Sequence, residues 1–219
     1  MNGVDVTDSV FNIETNQIVI QNVTTLISIT AEAYSPVTHD WILSDGIGQI
    51  NTGFVPTGTD IKVVSKFNVE QYLNAGTWLR IMGAYTGEQY NAYRITRFNN
   101  STTSFYVMCG AKANSGKQVS AAINTTYQME MVFNKITLNG TSTTLTTTTG
   151  TANTAPFFIA SPSVKVKMWS LQIYKGNVLK VDLVPTSIGD VACMKDNVSG
   201  EYLFPSSSGF TVGDDDAQN

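Results

Sequence analysis

Short runs in which apolar and polar residues alternate recur at intervals of roughly 10 to 20 residues from Trp41 onward, with turn signals such as TGTD, YTGE, FNNS, ANSGK, LNGT, KGN and SSSG between them. Alternation with a period of two places successive side chains on opposite faces of a strand, so each run builds a sheet with one buried face. No stretch carries the spacing of an amphipathic helix. A chain patterned in this way has few solutions, and the expected fold is all-β: two antiparallel sheets packed as a sandwich or jelly roll.

The candidate strands are 47–53, 60–69, 78–85, 90–98, 103–111, 127–134, 136–139, 156–160, 164–174, 178–184, 190–194, 201–204 and 209–212. Within 164–173 the apolar phase slips from Val164, Val166 and Met168 to Trp169, Leu171 and Ile173. A β-bulge or twist near 168–169 accounts for that slip. The Thr-rich stretch 141–155 reads as an exposed loop or edge strand, because strand signals continue on both sides of it.

The N-terminal part has a different organisation. Residues 16–32 hold two alternating runs around NVTT, which reads as a β-hairpin. Two strands alone do not bury a stable core, so residues 1–33 are expected to lean on the main domain, on a sister subunit or on a larger assembly, and 1–35 read as a hairpin anchor segment. Residues 36–40, which begin with Pro36, read as a linker, 41–213 as the main domain, and 214–219 as an acidic tail.

Charged residues make up only 14% of the chain and the formal net charge is −4. Nucleic-acid binding needs clustered Lys and Arg, and no nucleic-acid partner is expected. Cys109 and Cys193 lie in alternating apolar contexts without metal-ligand spacing, which reads as two buried free thiols. The start MNGVDVTDSVFNIE lacks the features of a secretory signal, and no apolar run approaches the roughly 18 residues of a membrane span. Synthesis in a cytoplasm and no membrane insertion are therefore expected.

An enzymatic reading finds little to work with. His39 is the only histidine and falls in the expected linker, which leaves no Ser/His/Asp or Cys/His arrangement in view. Glycoside hydrolysis needs two facing carboxylates, whereas Glu130 stands alone in YQMEMVF and Glu88 is flanked by Gly87 and Gln89. Asp214, Asp215 and Asp216 read as a solvated tail rather than a calcium site, which needs six to eight converging oxygens. No enzyme, cofactor or metal is expected.

A binding surface remains. Sugars are held by aromatic rings against their apolar faces and by polar side chains at their hydroxyls. The stretch 78–100 is the richest in such groups, with Trp78, Arg80, Tyr85, Tyr90, Asn91, Tyr93, Arg94, Arg97, Asn99 and Asn100. The candidate glycan contacts are Trp78, Tyr85, Tyr90, Asn91, Arg94 and Asn99. Aromatics are also good strand formers, and for any one of these residues a place in the core or rim of a sheet, as for Trp78, Tyr93 and Phe98, is favoured over ligand contact.

Three segments carry a family resemblance. WILSDGIGQINTGFVPTGTDIKVVSKF (41–67) resembles the opening strands of concanavalin A-like, laminin-G-like jelly-roll domains of phage and bacterial surface proteins. KMWSLQIYKGNVLKVDLVP (167–185) is similar to that family's penultimate hairpin, and GDVACMKDNVSGEYLFPSSSGFTVG (189–213) to its closing segment. The N-terminal runs look like the last strands of the immunoglobulin-like repeats that precede such domains. The family holds glycan-binding modules and hydrolases, and this chain lacks the hydrolases' paired-carboxylate strand and the metal loop of legume lectins. The resemblance implies a non-enzymatic bacteriophage virion protein (head fibre, decoration or tail) that is homo-oligomeric, is held to other virion proteins by residues 1–35, and displays a lectin-like domain toward a glycan or host surface. The alternatives are a purely structural capsid-decoration or fibre subunit without sugar binding, a bacterial surface adhesin, and a degraded glycanase, for which no turnover is expected.

Overall fold

Residues 61–72 alternate almost without interruption, and Ile61, Val63, Ser65, Phe67 and Val69 accordingly turn to one buried face of a twelve-residue strand. The computed structural model describes residues 11–12, 17–18, 34–74, 78–87, 90–97, 100–112, 116–145 and 150–215. The chain divides into two compact units, Met1–Ala33 and Tyr34–Asn219. In the first, β1 (Phe11–Asn12) pairs antiparallel with β2 (Gln17–Ile18). The rest of the hairpin expected over 16–32 lies outside the described residues.

The second unit comprises β3 (Pro36–Thr38), β4 (Trp41–Leu43), β5 (Ile50–Asn51), β6 (Ile61–Tyr72), β7 (Arg80–Ala84), β8 (Asn91–Arg97), β9 (Ser104–Lys112), β10 (Lys117–Ser120), β11 (Thr126–Val132), β12 (Lys135–Leu138), β13 (Thr141–Thr144), β14 (Phe158–Ile159), β15 (Val164–Lys175), β16 (Val178–Ile188), β17 (Val191–Asp196), β18 (Tyr202–Leu203) and β19 (Thr211–Gly213). Among the described residues there is no helix, and the strands of this unit form two antiparallel sheets. The smaller has six strands in the order β10-β9-β8-β7-β14-β5. The larger has eleven: β13-β12-β11-β6-β15-β16-β17-β18 form its spine, β3 is added to β16, and β4 joins β15 to β19. This is the all-β sandwich that the alternation predicts.

One core lies between the sheets. Phe67 of β6 stands 6.2 Å from Phe105 of β9 and 5.9 Å from Tyr127 of β11, and Phe105 and Tyr127 meet edge-on at 5.8 Å. Around these rings the larger sheet adds Val63, Met129, Met131, Leu171 and Ile173, and the smaller adds Met82, Tyr93, Ile95 and Val107, all essentially buried. The phase slip in β15 is a real register shift against β6, between Met168 and Ser170. The irregularity keeps Val164, Val166 and Met168 buried together with Leu171 and Ile173. Without it, one half of the strand would turn its apolar side chains to solvent.

Two boundary expectations are corrected. Residues 36–40 are not a linker: β3 pairs with Thr186–Ile188 of β16, and the His39 N–H donates to the Pro185 carbonyl at 2.9 Å. Pro36 is compatible with this position because β3 pairs with β16 alone, and an edge strand leaves one row of N–H positions unused. The acidic tail is docked at its start, where Asp215 accepts from Trp169 Nε1 at 2.9 Å and the Asp215 N–H donates to Asp40 at 2.9 Å. Residues 216–219 lie outside the described residues. The Thr-rich stretch supplies an edge strand, β13, and then irregular chain from residue 150. Both cysteines are free and buried; burial pushes the Cys193 thiol up to about 11 and the Cys109 thiol higher still, so neither is an available nucleophile at neutral pH.

Candidate functional site

The strands β7, β8 and β9 send alternate side chains away from the core, and two cross-strand rows result. One runs Phe158–Gly83–Arg94–Met108 across β14, β7, β8 and β9. The other runs Arg80–Thr96–Tyr106–Gln118 across β7, β8, β9 and β10. Four strands at sheet spacing give each row a length of about 14 Å. Trp78 and Tyr85 flank the rows just before and just after β7.

The contacts within this outer face are specific. The Arg94 guanidinium lies 3.8 Å from the centre of the Tyr85 ring, and its Nε donates to Met108 Sδ at 3.2 Å. Arg80 sits over Phe158 at 5.6 Å. Trp78, 51% exposed, stands edge-on to Tyr106 at 5.1 Å. Met108 and Ala92 are buried beneath Tyr85 and Tyr106, forming a small apolar cluster apart from the main core. Gly83 adopts φ +127°, and a Cβ there would lie 2.2 Å from the Tyr93 carbonyl oxygen and 2.4 Å from Arg94 Cα. Only glycine permits that approach, and it leaves no side chain between Phe158 and Arg94.

Both arginines are largely covered by their neighbours. Burial lowers the pKa of each, and Arg94 is raised by Tyr85 and lowered again by the like charge of Arg80. Guanidinium groups nevertheless stay protonated in proteins, so two positive charges share this face.

Of the sequence candidates, Trp78, Tyr85 and Arg94 share this face. Asn91 does not: it is 6% exposed, its Oδ1 accepts the Gly150 N–H at 2.6 Å, and its own N–H donates to the Thr151 carbonyl. Its amide pins a loop instead of offering itself to a ligand. Tyr90 enters β8 through a single parallel bridge to Thr151, and Asn99 lies outside the described residues. Tyr93 is a core residue whose hydroxyl donates to the Gly58 carbonyl. Arg97 is fixed by the carbonyls of Asn74, Ser101 and Asn100 and lies over Tyr72. Tyr106 and Met108 fall just beyond the stretch 78–100 and Phe158 comes from a strand distant in sequence, and all three look like ordinary strand filling in the sequence.

The outer face of the larger sheet also carries aromatics, but the chain's own cations lie over them. Lys62 lies over Tyr174, Lys66 over Trp169, and Lys167 over both Trp41 and Trp169. Asp215 stands 3.9 Å from Lys167 and accepts from Trp169, which gives that lysine a counter-charge.

The structure also supplies partners for His39. Its Nε2 lies 3.0 Å from Ser187 Oγ and its Nδ1 3.4 Å from Asp214. The order serine, histidine, aspartate is that of a hydrolytic triad, and no motif announces it because the three residues are far apart in the chain. The geometry suits a clasp better. Ser187 is 7% exposed in a strand paired on both sides, Asp214 is 65% exposed, and Nδ1 makes no hydrogen bond. A triad needs an accessible nucleophile, a held imidazole and free N–H donors for an oxyanion. Among the described residues no group of three or more His, Cys, Asp or Glu side chains could hold a metal ion.

No family model matches the chain, and no curated protein matches it.

Proposed function

We propose that this chain is a non-enzymatic display protein of a virion surface, whose second unit binds carbohydrate on the outer face of the six-stranded sheet. The observation that carries the reading is the Trp78–Tyr106–Met108–Arg94–Tyr85 array: exposed or half-covered rings, an apolar floor, and guanidinium donors on the same face. Rings of this kind supply apolar contact to a sugar's C–H faces, and the donors supply its orientation. Many displayed copies would turn weak single sites into firm attachment. The resemblance of 41–67, 167–185 and 189–213 to surface-protein jelly rolls supports the same reading.

A glycan array probed with the wild-type chain and with Trp78→Ala and Tyr85→Ala tests it. Trp78 and Tyr85 stand outside the main core, so each variant is expected to keep the melting temperature within about 2 °C while binding falls at least roughly tenfold. An array with no bound glycan favours the purely structural subunit. For the anchoring role of residues 1–35, removal of residues 1–33 is expected to leave a folded second unit that no longer enters particles; normal incorporation contradicts it.

A second reading, ester hydrolysis at Ser187, is favoured by the His39 line alone. Turnover of a p-nitrophenyl ester that disappears in Ser187→Ala would replace the non-enzymatic reading.

A further inference from the structure

We infer that the ligand of this outer face carries negative charge, as a uronate carboxylate or a sulfate ester on a sugar, and that Arg80 and Arg94 together recognise it. The inference rests on the carbohydrate-binding reading above and narrows its ligand class.

The chain has three arginines, and their surroundings differ sharply. Arg97 has its guanidinium held by three backbone carbonyls. Arg80 and Arg94 face no carboxylate among the described residues, and the hydrogen bond that Arg94 makes uses only Nε, toward a weak sulfur acceptor. Among the described residues the Nη1 and Nη2 groups of Arg94 and the guanidinium of Arg80 donate no hydrogen bond, which leaves these donors for a ligand. Removing charges from water without a counter-charge is unfavourable, and setting two like charges on one face adds repulsion. An anion between them relieves both costs.

The architecture provides the place for it. Gly83 separates Phe158 from Arg94 in the same row and contributes no side chain, while Arg80 lies on the same strand three residues away. The Tyr85 ring lies 3.8 Å from the Arg94 guanidinium and Met108 Sδ accepts from its Nε, so the group is held at two points before any ligand arrives. A planar fork of donors matches a carboxylate by two parallel hydrogen bonds, and a sulfate ester offers equivalent oxygens. The neighbouring rings of Phe158, Tyr106 and Trp78 would then lie against the sugar that bears the anion. The chain's net charge of −4 makes general attraction to polyanions a poor substitute for a local site.

The test is titration of the full chain with polygalacturonate, dextran sulfate and uncharged dextran, at low and high salt. Alongside it run Arg80→Gln, Arg94→Gln and Arg94→Lys, with Lys62→Gln as a control on the other sheet's outer face. At least one polyanion is expected to bind about tenfold or more tighter than dextran, with loss of that margin at high salt and in Arg80→Gln and Arg94→Gln, and no change in Lys62→Gln. The tighter of polygalacturonate and dextran sulfate identifies carboxylate or sulfate as the source of the charge. Arg94→Lys, which keeps charge but not the fork, is expected to bind less tightly than wild type. Dextran bound as tightly as both polyanions overturns the inference and leaves carbohydrate binding standing. No binding to any of the three overturns both. Equal losses in Lys62→Gln and Arg94→Gln show diffuse attraction and overturn the inference. Should Arg94→Gln fail to fold, Arg80→Gln and the salt dependence decide the matter in its place.

Discussion

Replacing Gly83 by alanine is expected to lower folding stability by about 3–5 kcal/mol, seen as a large drop in melting temperature or as loss of soluble protein. Two effects combine. A residue with a Cβ is strained at φ +127°, and that Cβ would sit 2.2 Å from the Tyr93 carbonyl oxygen and 2.4 Å from Arg94 Cα. Both close atoms belong to the backbone of β8, so relief requires β7 and β8 to separate and not merely a rotamer change. Gly176 is the control: its φ is also positive, at +58°, but the nearest atom to an added Cβ is 4.0 Å away. Gly176→Ala should therefore cost only about 1–2 kcal/mol, the penalty of the left-handed conformation itself. Equal and small losses at both positions would mean that β7 and β8 do not approach as closely as described, and the Phe158–Gly83–Arg94 row would fall with them.

The second large effect concerns the joint between the sheets. Phe67→Ala is expected to cost about 3–5 kcal/mol, because it removes a fully buried ring and leaves a cavity that the surrounding strands cannot close. Phe67 touches Phe105 of the opposite sheet and Tyr127 of its own, so the variant also removes two aromatic contacts. For a unit of this size the melting temperature should fall by roughly 10 °C or more. Phe67→Leu keeps most of the volume and should lose less than half as much. Chemical denaturation of the three proteins measures this directly, and a loss below about 1 kcal/mol for Phe67→Ala would show that these rings do not join the two sheets.

Most of the sandwich was legible because burial on one face writes itself into alternation. Residues 61–69 and the phase slip at 168–169 follow from that rule alone. It fails where burial is slight. Lys117–Ser120 has only Val119 buried, and Pro36–Thr38 is exposed throughout, so neither reads as a strand, although both are held by backbone pairing to a neighbour. The position of Pro36 on an edge explains why a residue that normally ends strands was misleading.

The site was legible only where one stretch of chain supplies it. Trp78, Arg80, Tyr85 and Arg94 lie close in sequence and reach one face because β7 and β8 are adjacent. Tyr106, Met108 and Phe158 join them through pairing that alternation does not specify. Asn91 illustrates the opposite error: an amide beside aromatics reads as a sugar contact, but the loop at Gly150 consumes it. The His39 line belongs to the same class as Phe158, since Ser187 lies 148 residues away along the chain and Asp214 farther still.

The most direct measurement is an NMR titration of the isotopically labelled full chain with a glycan identified on the array, following backbone amides and the arginine Nε–H groups. Shifts are expected to concentrate at Trp78–Tyr85, Ala92–Thr96 and Tyr106–Met108, with the Arg94 Nε–H among the largest. Shifts centred on Lys62, Trp169 and Tyr174 of the other sheet, or on Ser187 and His39, would contradict it.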